Sequence, residues 1–294
     1  MAHTESATMR RTLRREVVGT IGLLADEEDF AAMRRYRTFT FDDHSTYLSE
    51  MDRLLRARDA GGSHTTVALF DPTEYADFCA DEGLNADSPR GRMRFTAHLA
   101  AGPAVAYDGR PLRHLLPELV DITVRQSTWE YAQALLAEVG ECADCGEDIG
   151  RAALARAAFL VTRLLRAAGP GAHHLVCSVA HDGHHLLSAL HAHATADGRV
   201  DLDEDEAADF TTVLAAGIAT AGAGGVVLRT AREDTAEAVC GWRLKSDRLV
   251  PLTEAEVFDA YCTDARTGDL ISPESGLDYR AAPDLGPLDP GTSH

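Results

Sequence analysis

The sequence predicts a fold between the α/β and α+β classes. We expect a helical N-terminal part with a small mixed α/β unit, then an α+β part with a C-terminal antiparallel meander. Three observations support this: apolar residues recur at helical spacing, short β-rich runs separate these segments, and the last third alternates apolar with polar residues. With 294 residues, 45% of them hydrophobic, the chain can bury a large core. The predicted domains are residues 1–140 and 147–264, followed by a largely disordered tail at 265–294.

The N-terminal part is predicted to begin with helices, because its apolar residues recur every three or four positions through the first sixty residues. After two glycines, the run at 65–70 predicts a buried strand. Two helices follow, each with a capping side chain before a proline, and a second strand completes a β-α-α-β unit. The signals are Asp71-Pro72, Ser88-Pro89 and a β-rich run at 103–107.

The middle of the chain is predicted to be mostly helical. The stretch 112–139 should break near Ser127, since Ser127 and Glu130 have capping-box spacing. The polar, glycine-bearing segment 140–150 is the predicted boundary between the two parts. Beyond it we expect a helix, a buried strand at 173–180, a helix through 184–193, a helix at 203–220 and, after the meander, a helix capped by Thr253 and Glu256.

Composition limits the partners. The chain has 28 basic and 47 acidic side chains and a formal charge of −19, which repels nucleic-acid phosphate and anionic lipid. Nucleic-acid binding is therefore disfavoured. No apolar window approaches the roughly 18 residues that a membrane-spanning helix needs, and the N-terminal sequence does not resemble a signal peptide. We expect a cytoplasmic protein without a membrane partner, whose six cysteines are reduced.

Histidines crowd one segment, since seven of the thirteen lie between His173 and His193. If a strand ends near residue 180, the following loop lies at its carboxyl end, where α/β proteins bind ligands. His181, Asp182, His184 and His185 are therefore candidate ligands of a divalent metal ion. The spacing matches no ligand motif, and adjacent residues of a helix point about 100° apart. We favour the interpretation that these histidines share no metal.

A second candidate is the thiol pair Cys142 and Cys145, which is followed by Gly146. This spacing is that of half a zinc knuckle, or of a redox pair. No second pair of ligands in the sequence completes a tetrahedron with it. We favour two ordinary loop thiols.

A third candidate is the segment from His193 to Glu204, which resembles a degenerate calcium loop of the EF-hand family. Asp197, Asp201 and Glu204 fall at ligand positions, and helices are predicted on both sides. His193 stands in place of the first aspartate of the family's loop. A tight turn before a capped helix explains the same residues, and we favour it.

The sequence has no nucleophile elbow, phosphate-binding loop or dinucleotide fingerprint. The function we expect is that of a cytoplasmic, non-catalytic binding or regulatory protein. Its partner would be another protein or a second copy of the chain. The alternative is a metal-dependent hydrolase centred on His181–His185, in which a metal-bound water is the nucleophile.

Overall fold

A computed structural model describes residues 19–232, 235–264 and 267–286, and it confirms the mixed α/β class. The chain divides into two units, residues 1–126 and 127–294. Each unit has its own hydrophobic core cluster. Within the described ranges, no helix is long and apolar enough to cross a membrane.

The described residues of the N-terminal unit form a three-stranded sheet with helices. Strand β2 lies in the centre, parallel to β1 and antiparallel to β3. The elements are β1 (Gly19–Leu23), α1 (Glu27–Met33), α2 (His44–Ala60), β2 (Thr65–Leu69), α3 (Pro72–Asp81), α4 (Pro89–Leu99), β3 (Val105–Ala106) and the first part of α5 (Leu112–Glu138).

Local capping signals correctly predicted helices α3 and α4 of this unit. The Asp71 carboxylate accepts hydrogen bonds from the backbone N–H groups of Thr73 and Glu74, and the Ser88 hydroxyl accepts one from Gly91. Each side chain satisfies N–H groups that have no partner inside the helix. The predicted β-α-α-β unit is therefore confirmed as β2-α3-α4-β3.

The prediction of an entirely helical start was wrong at residues 19–23. These residues form strand β1, and Ile21 lies opposite Val67 of β2. Pairing with a distant strand outweighs the local helical spacing here. The predicted helical residues Leu13 and Val17 lie outside the described residues.

The predicted break near Ser127 was also wrong, because α5 continues from Leu112 to Glu138. A capping box starts a helix only when its first residue has extended backbone, whereas Ser127 lies inside a helix. The division between the two units falls at this position.

The described residues of the C-terminal unit form a seven-stranded sheet in the order β10-β8-β7-β4-β5-β6, with β9 paired to β8. Its core cluster joins α6 and α7 to one face of β4, β5, β7 and β8. The elements after α5 are α6 (Ile149–Ala168), β4 (Gly171–His181), β5 (His184–Ala194), β6 (Val200–Leu202), α7 (Glu204–Ala219), β7 (Ala223–Ala231), β8 (Glu237–Lys245), β9 (Arg248–Pro251), α8 (Glu254–Tyr261) and β10 (Leu277–Tyr279).

The predicted helix at 184–193 was wrong, because these residues form strand β5. Side chains alternate between buried and exposed along it, and it pairs with β4 from one end to the other. Asp182 and Gly183 connect the strands with φ angles of 46° and 81°. An Asp-Gly pair with both φ angles positive is typical of a two-residue hairpin turn.

Other predictions for this unit were correct. Strands β7, β8 and β9 form the antiparallel meander, and Thr253 and Glu256 form a capping box at the start of α8. The segment predicted to be a largely disordered tail differs from that expectation in its described part, because Leu277–Tyr279 forms β10, which pairs in parallel with β8. Residues 287–294 lie outside the described residues.

Candidate functional site

The candidate metal ligands lie at the tip of the β4–β5 hairpin. His181 and His184 are opposite each other across the turn, and His185 is opposite Ala180. His181 Nε2 lies 3.7 Å from an oxygen of Asp182, while the ring of His184 packs on Tyr131 with a centroid distance of 5.2 Å. Among the described residues, no group of three or more His, Cys, Asp or Glu side chains could hold a metal ion.

The other histidines of the cluster have separate roles along the same two strands. His173 is buried, and its ring nitrogens contact the hydroxyl of Thr230 at 3.1 Å and the carbonyl oxygen of Gly169 at 2.8 Å. His174 stacks on His191 with a centroid distance of 4.6 Å and an angle of 3° between the rings. Two parallel stacked rings direct their nitrogens in parallel planes and not toward one ion. Burial lowers the pKa values of His173 and His174.

The prediction of a helix before the candidate calcium loop was wrong, whereas the helix predicted after it is present. Strand β5 precedes it, and Asp201 lies on β6, opposite His193. The Thr195 hydroxyl donates to the Asp197 carboxylate, which lowers the pKa of Asp197. Glu204 begins α7 after the N-cap Asp203. These interactions are those of a turn and a helix cap.

The thiol pair lies in a tight turn between α5 and α6. The Cys142 backbone N–H donates to Glu147 O, and the Gly146 N–H donates to Cys142 O, both at 2.8 Å. Backbone N–H groups of Asp144 and then Cys145 donate to the Cys142 sulfur and lower the pKa of its thiol. The turn therefore stabilises a thiolate.

A pocket in the N-terminal unit was not predicted. It has a volume of about 320 Å³ and lies between the end of α2, the start of β2 and the end of β3. That volume is at the lower end of the range for small-ligand sites. The lining residues are Asp59, Gly62, Ser63, His64, Thr65, Thr66, Ala106 and Tyr107.

Two buried hydroxyl groups belong to residues of this pocket. Thr65 is 4% exposed and Tyr107 is 8% exposed, and the Tyr107 N–H donates to Thr65 O at 2.8 Å. Thr65 Oγ1 and Tyr107 Oη have no hydrogen-bond partner among the described residues. The neighbouring hydroxyl of Thr66 contrasts with them, because it lies 3.0 Å from the Thr20 hydroxyl. Buried polar groups are almost always paired, so these two hydroxyls are exceptions that need an explanation.

Charged groups of both signs lie near the Tyr107 hydroxyl. Burial raises the pKa of Tyr107, the Asp52, Asp59 and Asp108 carboxylates raise it further, and the Arg56 guanidinium opposes them in part. The pKa is raised on balance, so the hydroxyl stays protonated and can donate. Asp52 forms an ion pair with Arg56 at 2.8 Å. Within the described ranges, Asp59 has no ion pair and no side-chain hydrogen bond.

The space beside the Asp59 carboxylate is open because residue 109 is a glycine, which has no side chain. A Cβ atom at Gly109 would lie 3.1 Å from Asp59 Oδ2, and Gly109 has a φ angle of +88°, which side chains rarely adopt. Sequence patterns could not identify this pocket, because β2 and β3 bring its residues together from distant positions. The one signal was that polar residues occupy the neighbouring ends of two predicted strands.

Comparisons with known proteins give one result for this chain. No curated protein and no solved structure matches it. Residues 8–110 match a family model described as a domain of unknown function, DUF8829, and this matched segment includes all the residues that line the pocket.

Proposed function

We propose that this chain is a non-catalytic binding protein of regulatory type, whose N-terminal unit holds a small polar ligand in the pocket beside Thr65 and Tyr107. The observation that carries the proposal is the pair of buried hydroxyls without a partner. A polar ligand satisfies such groups and recovers the cost of burying them. We include the cytoplasmic location expected from the sequence in this proposal.

The charge around the pocket indicates the class of ligand. Asp59 contributes a carboxylate without a counter-ion in the described structure, and Tyr107 contributes a hydroxyl donor. A molecule with a positively charged nitrogen and an oxygen acceptor fits both groups. An anion would face Asp59 across a short distance and is disfavoured.

Nuclear magnetic resonance of the full-length protein tests this proposal. We expect ethanolamine and argininamide, at about 10 mM because small ligands bind weakly, to shift the resonances of Thr65 and Tyr107. Acetate and glycerol should shift them much less. If neither ammonium compound moves these resonances, the proposal is wrong.

A charge variant provides the matched control. Asp59→Asn should weaken binding of both ammonium compounds about tenfold, the effect expected from loss of a charge-assisted hydrogen bond. Asp42→Asn removes the same charge from an exposed residue outside the pocket and should leave binding unchanged. Equal weakening in both variants would indicate nonspecific attraction to an acidic protein and would contradict the proposal.

A further inference from the structure

The turn between α5 and α6 holds two thiols in a fixed arrangement. Glu141 and Asp148 form an antiparallel bridge that closes the turn. Inside it, the Cys142 N–H donates to Glu147 O, and Cys142 O accepts a hydrogen bond from the Gly146 N–H. Gly146 has a φ angle of 72°, a conformation that glycine adopts without strain. The backbone between the two cysteines is therefore fixed by hydrogen bonds on both sides.

Hydrogen bonds within the turn hold the Cys142 sulfur. The Cys145 thiol forms a hydrogen bond with the Cys142 sulfur, which also accepts the backbone N–H groups of Asp144 and Cys145. A tetrahedral zinc ion with Zn–S bonds of about 2.3 Å requires sulfurs about 3.8 Å apart, which is within hydrogen-bonding range for sulfur. Backbone N–H donors to the sulfur would also stabilise a metal-bound thiolate.

This arrangement supplies half of a closed zinc site. A structural zinc site has four protein ligands, whereas the described part of the chain contains no group of three side chains that could hold a metal. Asp144, Cys145 and Gly146 are exposed, so another molecule can approach the turn. Two copies related by a two-fold axis would bring together four sulfurs from the same two positions.

We propose that Cys142 and Cys145 form half of a zinc site that is completed by the same two residues of a second copy of this chain. Binding one zinc ion converts four thiols to four zinc-bound thiolates. The four protons pass to the buffer. The site would make dimerisation of the chain dependent on zinc and on reduced cysteines.

Acidic residues around the turn oppose the approach of two copies. Glu141, Asp144, Glu147 and Asp148 lie in or beside it. These carboxylates attract the metal ion but repel each other across the dimer. Salt screens exposed charges over about 8 Å at physiological ionic strength and does not break metal–thiolate bonds. We therefore expect the dimer to form at about 0.15 M salt.

Sedimentation velocity of the reduced full-length protein, with zinc chloride as the probe, tests the proposal. We expect the mass to double when zinc is added, with one zinc bound per two chains by elemental analysis, and to return to that of a monomer with a chelator. Cobalt(II) should give the intense visible spectrum of a tetrahedral four-thiolate site. One zinc ion per monomer would overturn the proposal, as would the absence of any tightly bound zinc.

Serine variants identify the ligands. The double variant Cys142→Ser, Cys145→Ser should remain monomeric with zinc and lose the cobalt spectrum. Cys240→Ser, a half-buried cysteine on β8, should behave like the natural sequence. The tryptophan emission of each variant checks that the C-terminal unit is folded. Zinc-dependent dimerisation that persists in the folded double variant would place the site elsewhere and would overturn the assignment.

Discussion

The two units differ in how they bury polar groups. In the C-terminal unit, buried His173 contacts Thr230 and Gly169, and the buried hydroxyl of Thr212 donates to Ala208 O. Among the described residues, the buried side-chain atoms without a hydrogen bond all lie in the N-terminal unit. They are Thr65 Oγ1, Tyr107 Oη and Arg110 Nε, and Arg110 Nε still forms an ion pair with Asp108 at 3.3 Å. An unpaired buried group reduces stability, and among the described residues such groups lie only in the unit to which we assign the ligand pocket.

The cores differ in a related way. Aromatic rings are more frequent in the N-terminal cluster, which includes Phe30, Tyr47, Phe70, Tyr75 and Phe95. Aliphatic side chains of two helices and a large sheet dominate the C-terminal cluster. Since no residue belongs to both clusters, we expect the stability of each unit to depend mainly on its own core.

The largest expected effect comes from opening one core at a time. Phe95 is 1% exposed and packs on Phe70 at a centroid distance of 5.0 Å. Phe95→Ala should destabilise the N-terminal unit by about 3–5 kcal/mol. Both tryptophans, Trp129 and Trp242, lie in the C-terminal unit, so thermal unfolding followed by their emission should be nearly unchanged.

Leu164→Ala is the matched variant in the other core. Leu164 is fully buried in the C-terminal cluster, and its truncation should lower the midpoint of the tryptophan transition through a loss of about 2–5 kcal/mol. If Phe95→Ala shifts this transition as far as Leu164→Ala does, the two cores are not separate in energetic terms.

The second expected effect is of intermediate size. It is the difference in stability between removing the hydroxyl of one buried tyrosine and removing that of another. The Tyr75 hydroxyl donates to Ala86 O at 2.6 Å, whereas the Tyr107 hydroxyl has no partner in the described structure. Tyr75→Phe should therefore destabilise the protein by about 1 kcal/mol, and Tyr107→Phe should leave stability unchanged or raise it by about 1 kcal/mol. Amide hydrogen exchange at increasing denaturant concentration gives the free energy of unfolding of the N-terminal unit for each variant.

In the presence of ligand, we expect Tyr107→Phe to be less stable than the natural protein. If the hydroxyl donates to a bound ligand, Tyr107→Phe loses the stabilisation that argininamide gives to the natural protein, while Tyr75→Phe retains it. A clear loss of stability in Tyr107→Phe without any ligand would show that its hydroxyl already has a partner.

Sequence reasoning worked where the cause is local. The caps at Asp71, Ser88 and Thr253 act on N–H groups within three residues, and each of them marks a real helix start. It failed where the cause is distant. Strands β1 and β5 are held by pairing with β2 and β4, and their own spacing of apolar residues suggested helix.

The hairpin turn at Asp182-Gly183 had a local sequence signal, the Asp-Gly pair, but the interpretation of this segment was based on its histidines instead. Asp-Gly directly after a β-rich run favours a hairpin turn, and this signal would have placed His184 on a second strand. The pocket is different, because no local pattern connects Thr65 with Tyr107. Only the pairing of β2 with β3 brings these two residues to one cavity.

The smallest expected effect is a pH dependence of opposite sign in the two units. Asp29 in the N-terminal unit is partly buried, and burial disfavours its charged carboxylate. Its pKa is therefore raised to about 6. The folded state then binds a proton more readily than the unfolded state, so lowering the pH from about 7 to about 5 should stabilise this unit. Asp29→Asn should remove that gain.

In the C-terminal unit the same acidification should act in reverse. Burial lowers the pKa values of His173 and His174 below their ordinary value, so the unfolded state binds protons first and stability falls as the pH drops below about 6.5. Tryptophan emission should show a lower melting temperature at pH 5 than at pH 7, while the amide resonances of Tyr47 and Tyr75 persist to a higher temperature. Shifts of the same sign in both units would mean that groups other than these buried ones control the response to acid.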